Sequence, residues 1–254
     1  MRLVRFRHGE RIATGFLSGE EVRVLRGTFF EDPIPSGEDV PAADVRLLAP
    51  VIPSKVVAVA RNYPEHAAEM GNPLPERPML FFKPATAVIG PGDPIPIPAD
   101  SERVDHEAEL AVVVGRLCRR VSEEDAPKYI LGYTCANDVT ARDWQKADGQ
   151  WARAKGSDGF CPLGPWVETE LDPGDLAVTS RVNGRARQSG RTSEMAFSPA
   201  FLVSYTSRTI TLLPGDVVLT GTPPGVGSLQ PGDRVEIEVE GVGVLDNPVV
   251  TAGG

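Results

Sequence analysis

The sequence predicts an α+β fold that is mostly β, with a small N-terminal β domain (1–52) ahead of a larger domain (53–254). Short β-branched runs recur along the chain, each bounded by a turn built from Gly, Pro, Asn or Asp. The 254 residues include 26 Gly and 24 Pro but only 6% aromatics, a balance that suits short strands and tight turns. Helical patterns are few and short.

The first residues set up the small domain. Arg2–Phe6 and Glu21–Leu25 alternate apolar with polar side chains, as half-buried strands do. Gly9-Glu10 and Ser18-Gly19-Glu20 supply turns. Pro33–Asp39 reads as a loop, and Asp44–Pro50 leads into the larger domain.

The larger domain opens with a buried strand, Lys55–Ala60. Pro64 suits a first helical turn and Gly71 a C-cap, so a short helix follows. His66 and Glu69 stand at i and i+3 on one face of it. A carboxylate beside a histidine orients the ring for proton transfer, although a surface helix with a solvated His has the same spacing. Pro78–Pro84 is a strand ending in Lys83. Pro94–Pro98 alternates Ile with Pro, as an ordered edge segment does.

Asp105–Gly115 reads as one strand. Side chains alternate along a strand, which puts Glu107 and Glu109 on one face, roughly 6–7 Å apart. Like charges beside an apolar run repel and resist burial, so a cation between them would relieve both. Gly132–Asp138 is a second strand ending in a carboxylate, Asp138. Three convergent carboxylates suit Mg²⁺, Mn²⁺ or Ca²⁺. Paired glutamates also occur on the solvent face of ordinary sheets.

Beyond Asp138, Val139–Gln145 reads as one or two helical turns, and Lys155–Trp166 as a Gly/Pro-punctuated loop with one isolated lysine. Arg181–Gln188 is a hairpin whose Asn183-Gly184 suits a type I′ turn. Ser198–Ser207 has helical spacing. Val217–Thr220, Arg234–Val239 and Gly243–Leu245 complete the strands.

Composition narrows the function. A net charge of −9 argues against nucleic acid and anionic membranes as partners. No apolar run approaches the length of a bilayer crossing. Met1–Arg7 lacks the apolar core of a signal peptide, so a soluble cytoplasmic protein is expected. Cys118, Cys135 and Cys161 form no Cys-x-x-Cys pair and read as small buried hydrophobes. Gly221–Ser228 completes neither a phosphate loop nor a dinucleotide fingerprint, and no Gly-x-Ser-x-Gly elbow occurs.

Several segments, in order, resemble the fumarylacetoacetate hydrolase family: Arg61-Asn62-Tyr63-x-x-His66-x-x-Glu69-Met70-Gly71, Phe82-Lys83-Pro84, and Asp105-x-Glu107-x-Glu109-Leu110. Asn137–Asp143, Cys161–Pro165 and Pro214–Val226 continue the series, which spans roughly residues 54 to 250. The resemblance implies a mixed β-roll, usually a homodimer. It implies metal ligands at Glu107, Glu109 and Asp138, a His-Glu dyad at His66 and Glu69, and an active-site lysine at Lys155. It further implies substrate contacts from Gln145, from Arg61 and from Thr222, the last against a carboxylate. Many members have Lys-Ser-Phe-Asp where this chain has Lys155-Gly156-Ser157-Asp158, so the lysine is kept and its loop altered.

The implied substrate is a small 2-oxo (di)acid processed through an enolate that Mg²⁺, Mn²⁺ or Ca²⁺ stabilises. Hydrolysis of a C–C bond in an acylpyruvate comes first. Oxaloacetate decarboxylation and isomerisation of 2-hydroxyhepta-2,4-diene-1,7-dioate pass through the same intermediate. A binding module held together by a structural metal is the non-enzyme alternative.

Overall fold

The computed structural model describes residues 1–31 and 33–253. Among them, the largest sheet has twelve strands. Its main path runs Ile34–Pro41, Glu21–Arg26, Arg11–Ser18, Arg2–His8, Cys161–Glu168, Ile130–Asn137, Ala108–Val114, Val217–Leu219, Val56–Ala60, Met79–Lys83. Neighbours are antiparallel except Val217–Leu219 beside Val56–Ala60. A five-stranded sheet packs against it, ordered Arg185–Arg191, Ala177–Val182, Arg234–Val239, Gly243–Thr251, Ile95–Ile97. The architecture is α+β and mostly β, as the turn-bounded runs predict.

The strand Ala108–Val114 explains the layering. All seven residues are buried. Leu110, Val112 and Val114 point into the core shared with Val178, Val235, Ile237 and Leu245 of the smaller sheet. Ala111 and Val113 point the other way, onto Val56, Ala58, Leu163, Val167 and Val217. A strand covered on both faces needs a continuous apolar run rather than alternation. Each buried Val or Leu contributes about 1.5–3 kcal/mol.

The N-terminal strands close a smaller core of Val4, Phe6, Val22, Val24 and Val40. Arg2 and Leu3 pair with Glu168 and Val167, which joins this meander to the large sheet. Pro33–Asp39, expected as a loop, instead contributes to the edge strand Ile34–Pro41, which pairs with Glu21–Arg26 through a register shift at Arg23/Leu25. Edge strands tolerate its prolines, whose missing N–H can face outward.

Two other expectations change. Cys161–Trp166 lies in a central strand, Cys161–Glu168, not a loop. Its pairing with Ile130–Asn137 shifts register between Tyr133 and Cys135, so two prolines fit into an irregular ladder. Lys155 belongs to a short helix, Ala152–Gly156. The Asn183-Gly184 turn has φ of 53° and 73°, as a type I′ hairpin requires. All three cysteines are free and buried, and burial pushes the Cys135 and Cys161 thiols up to about 12. Among the described residues, no helix is long and apolar enough to cross a membrane.

Candidate active site

The predicted single strand Asp105–Gly115 is broken at Glu107, between Val104–His106 and Ala108–Val114. The Glu107 N–H is taken by the side chain of Asn137 (2.9 Å), while the Asp138 N–H donates to the Glu107 carbonyl (2.9 Å). Ala108 pairs with Asn137 and Glu109 with Ala136, so the hairpin end brings Glu107, Glu109 and Asp138 together. One oxygen from each lies within 4.8 Å of the others. All three carboxylates are almost fully buried.

Buried carboxylates need partners. Lys155 Nζ donates to Glu107 (2.8 Å) and Asp138 (2.7 Å). Lys83 donates to the other Asp138 oxygen. Arg142 donates to Glu107 (2.6 Å), Asp105 (2.8 Å) and Gln145 (3.0 Å). Burial pushes the Glu107 carboxyl up, but Lys155, Arg142 and His66 outweigh it and hold the group well below the usual range. Burial disfavours the Lys155 ammonium, yet Asp138 and Glu107 hold its pKa above the ordinary lysine value. Glu109 differs. Its Oε2 accepts the Gly221 N–H (2.6 Å), while burial and the charges of Asp138 and Glu107 push its carboxyl well above the usual range.

This donor set fits a hard divalent cation: three oxygens, no sulfur, and a strong demand for positive charge that Lys155 and Lys83 partly meet.

The dyad lies across the same cavity. Helix Pro64–Glu69 places His66 Nδ1 3.2 Å from Glu69 Oε2, and Glu69 also accepts the Gly225 N–H at 3.1 Å. A carboxylate facing Nδ1 assigns the ring hydrogen there and leaves Nε2 as the free lone pair. Arg61 precedes the helix in a left-handed conformation, φ 58°. The next residue, Asn62, holds that turn by donating to Thr220 O (2.7 Å) and Phe197 O (2.9 Å).

A cavity of 640 Å³ is lined by Arg61, His66, Glu69, Glu107, Glu109, Asp138, Gln145, Lys155 and Thr222, so the structure gathers all nine expected residues. Phe81 and Trp151, edge to face at 5.4 Å, form its apolar wall. Arg142 and Lys83, which partner these acids, and Asp105, which holds Arg142, carry no role in the sequence-based expectations. Arg142 opens the short helix Arg142–Ala147 after the strand Thr140–Ala141, so no helical spacing links it to Asp138. Lys83 was visible only as a charged residue ending an apolar strand.

Residues 55–250 match the family described as fumarylacetoacetate (FAA) hydrolase C-terminal, and residues 1–50 match Rv2993c-like, N-terminal. A crystal structure of 5-carboxymethyl-2-hydroxymuconate delta-isomerase from Mycobacterium smegmatis is 50% identical, with TM-score 0.94, covering 99% of this chain and 100% of that one. Oxaloacetate tautomerase fahd2, mitochondrial, of Xenopus laevis is 45% identical over 221 residues, 82% of this chain and 69% of its own. Maleylpyruvate hydrolase from Sphingobium sp. SYK-6, solved with manganese(II) and pyruvate, is 31% identical with TM-score 0.82, each chain fully covered. With its domain matched nearly end to end and the acidic cluster in place, the chain belongs to the fumarylacetoacetate hydrolase family of enzymes.

Proposed function

We propose that this enzyme acts on a small 2-oxo (di)acid through an enolate, with C–C hydrolysis of an acylpyruvate-type substrate as the first reading. One observation carries it: three buried carboxylates converge within 4.8 Å in a cavity that also holds a His–Glu pair. Glu107, Glu109 and Asp138 would hold Mg²⁺, Mn²⁺ or Ca²⁺. Such an ion supplies Lewis acidity to the oxygens of a 2-oxo acid.

The chain's own residues do the rest. Glu69 fixes the His66 ring so that Nε2 faces the cavity as the base. In hydrolysis His66 takes a proton from water, which attacks the distal carbonyl. Lys155 brings positive charge to the oxyanion that develops. Arg61, Gln145 and Thr222 contact the substrate, and Phe81 and Trp151 exclude water from one wall. Residues 1–52 form a small N-terminal domain beside the catalytic domain 53–254. The working unit is taken as a cytoplasmic homodimer.

A second reading is isomerisation or tautomerisation, in which His66 moves a proton between carbon and oxygen and no C–C bond breaks. The isomerase and tautomerase names of relatives 45–50% identical favour it. Decarboxylation of oxaloacetate uses the same groups.

The test is an activity panel of an acylpyruvate, oxaloacetate and a hydroxymuconate-type dienoate, with Mg²⁺ or Mn²⁺ and with chelator. His66→Ala is expected to keep Mn²⁺ binding and to lose turnover by about 10²–10⁴-fold. No turnover of any of the three would favour a metal-stabilised binding module instead.

A further inference from the structure

Arg103 holds the outer end of a row of alternating charge that begins at the acidic trio. From Glu107 the row runs to Arg142 (2.6 Å), to Asp105 (2.8 Å) and to Arg103 (2.8 Å). The side chains of the first three are at most 12% exposed, and that of Arg103 is 57% exposed. Its guanidinium is nonetheless fixed. Nε and Nη2 donate to the two oxygens of Asp105, at 2.8 and 3.1 Å, and the Arg103 carbonyl accepts the Arg142 N–H at 2.8 Å. A side-on pair of this kind occupies one edge of the fork and leaves Nη1 outside it. Arg103 and Asp105 both line the 640 Å³ cavity, so this cation stands at the mouth of the candidate site.

Five basic and five acidic side chains line that cavity, His66 aside. The ion pairs among them use Arg103, Arg142 and Lys155, and leave Arg61 and Lys146 without a carboxylate among the described residues. Lys146 follows Arg142 by four positions on the helix Arg142–Ala147, hence on the same face. A divalent ion on the trio would tip this even balance to positive. A 2-oxo diacid, a dianion at neutral pH, answers that surplus, and a monoacid leaves part of it unmet.

We propose that Arg103 is a specificity-determining residue that binds the distal carboxylate of the substrate, so that the site selects 2-oxo diacids over monoacids. Lys146 adds charge at the same mouth. The proposal rests on the enzyme reading above and deepens it by narrowing the substrate class. The 2-oxo end of the substrate belongs with the trio, at the inner end of the row, and the distal carboxylate at its outer end. Asp105 keeps the guanidinium aimed, so little side-chain freedom is lost when a carboxylate docks. The Phe81–Trp151 wall is the competing destination and suits an apolar tail.

Calorimetric titration of the Mn²⁺-loaded full chain with 2-oxoglutarate and 2-oxopentanoate, and with 2-oxoadipate and 2-oxohexanoate, tests this. Within each pair a methyl group replaces the distal carboxylate. The wild type is expected to bind at least one diacid about tenfold more tightly than its matched monoacid, with a preference that shrinks as salt is raised. Arg103→Met should weaken that diacid about five- to tenfold and the monoacid less than about twofold, with Arg103→Lys restoring part of the preference. Lys146→Met, outside the Asp105 network, should weaken the same diacid about two- to threefold. Equal losses for both ligands in Arg103→Met would show that Arg103 only braces Asp105 and Arg142, and would overturn the proposal. A monoacid bound by the wild type as tightly as its diacid would send the distal end to the Phe81–Trp151 wall, overturning the proposal and leaving the enzyme reading intact. Failure of the wild type to bind any of the four would overturn the enzyme reading, and this inference with it.

Discussion

Lys155 reaches Asp138 across 2.7 Å from a different element, and neither side chain is more than a few per cent exposed. The same ammonium contacts Glu107, so one lysine spans two of the three acids that would hold a metal ion. Positive charge is a structural requirement of this pocket before it is a catalytic one.

Removing that charge should therefore show in stability. Breaking a buried ion pair typically costs about 3–5 kcal/mol. Lys83 and Arg142 still serve Asp138 and Glu107, so Lys155→Met should cost about 2 kcal/mol in chelator. Mn²⁺ should raise the melting temperature of the variant more than that of the wild type. Thermal melts with and without Mn²⁺ check this, and equal shifts would refute it.

Metal affinity should rise with pH. The Glu109 carboxyl lies well above its ordinary value in the metal-free protein, because of burial and then Asp138 and Glu107. A group raised in this way retains its proton at pH values where a free glutamate has lost it. The metal-free fold thus loses stability as pH climbs through that raised value, and a bound ion must displace the proton below it. Affinity should increase by at most about tenfold per pH unit in that window and level off above it. Mn²⁺ titration across a pH series measures the slope, and Glu109→Gln should abolish it.

Gly221 should resist substitution. Its φ is +96°, a Cβ there would lie 2.7 Å from the Asn62 Cβ, and its N–H holds Glu109. Gly221→Ala is expected to cost about 1–3 kcal/mol through backbone strain and to weaken Mn²⁺ binding by moving Glu109. Denaturant melts and Mn²⁺ titration report the two effects separately.

The dyad should separate chemistry from metal binding. Glu69 touches His66 and Gly225 but none of the three acids. Glu69→Gln should lower turnover by about ten- to a hundredfold and leave Mn²⁺ affinity unchanged. A matching loss of Mn²⁺ affinity would place Glu69 in the metal site instead.

Asp216 offers a control for the scaffold. Fully buried, it accepts from Ser54 Oγ (2.7 Å), Ser54 N (3.0 Å) and Leu213 N (2.7 Å), and pairs with Lys55. It pins the one parallel neighbour pair on the main path of the large sheet, Val56–Ala60 beside Val217–Leu219. Asp216→Ala should cost about 3 kcal/mol or more, with Mn²⁺ affinity per folded molecule little changed. Chemical denaturation measures it.

Much of this was legible along the chain because it depends on neighbours in sequence. The Asn183-Gly184 turn, the helix Pro64–Glu69 with its His–Glu spacing, and the apolar run Leu110–Val114 obey local backbone geometry. Glu107 and Glu109 could be paired by the strand repeat alone. Pro162 and Pro165 hid the strand Cys161–Glu168, since local propensity argues against proline in a sheet whose irregular register accommodates them. Arg142 on Asp105 and Glu107, and Lys83 on Asp138, join residues 35 to 55 positions apart. Spacing along one element cannot encode such contacts. They arise only when strand order brings separate segments to one buried pocket, where each unpaired charge or amide must find a partner.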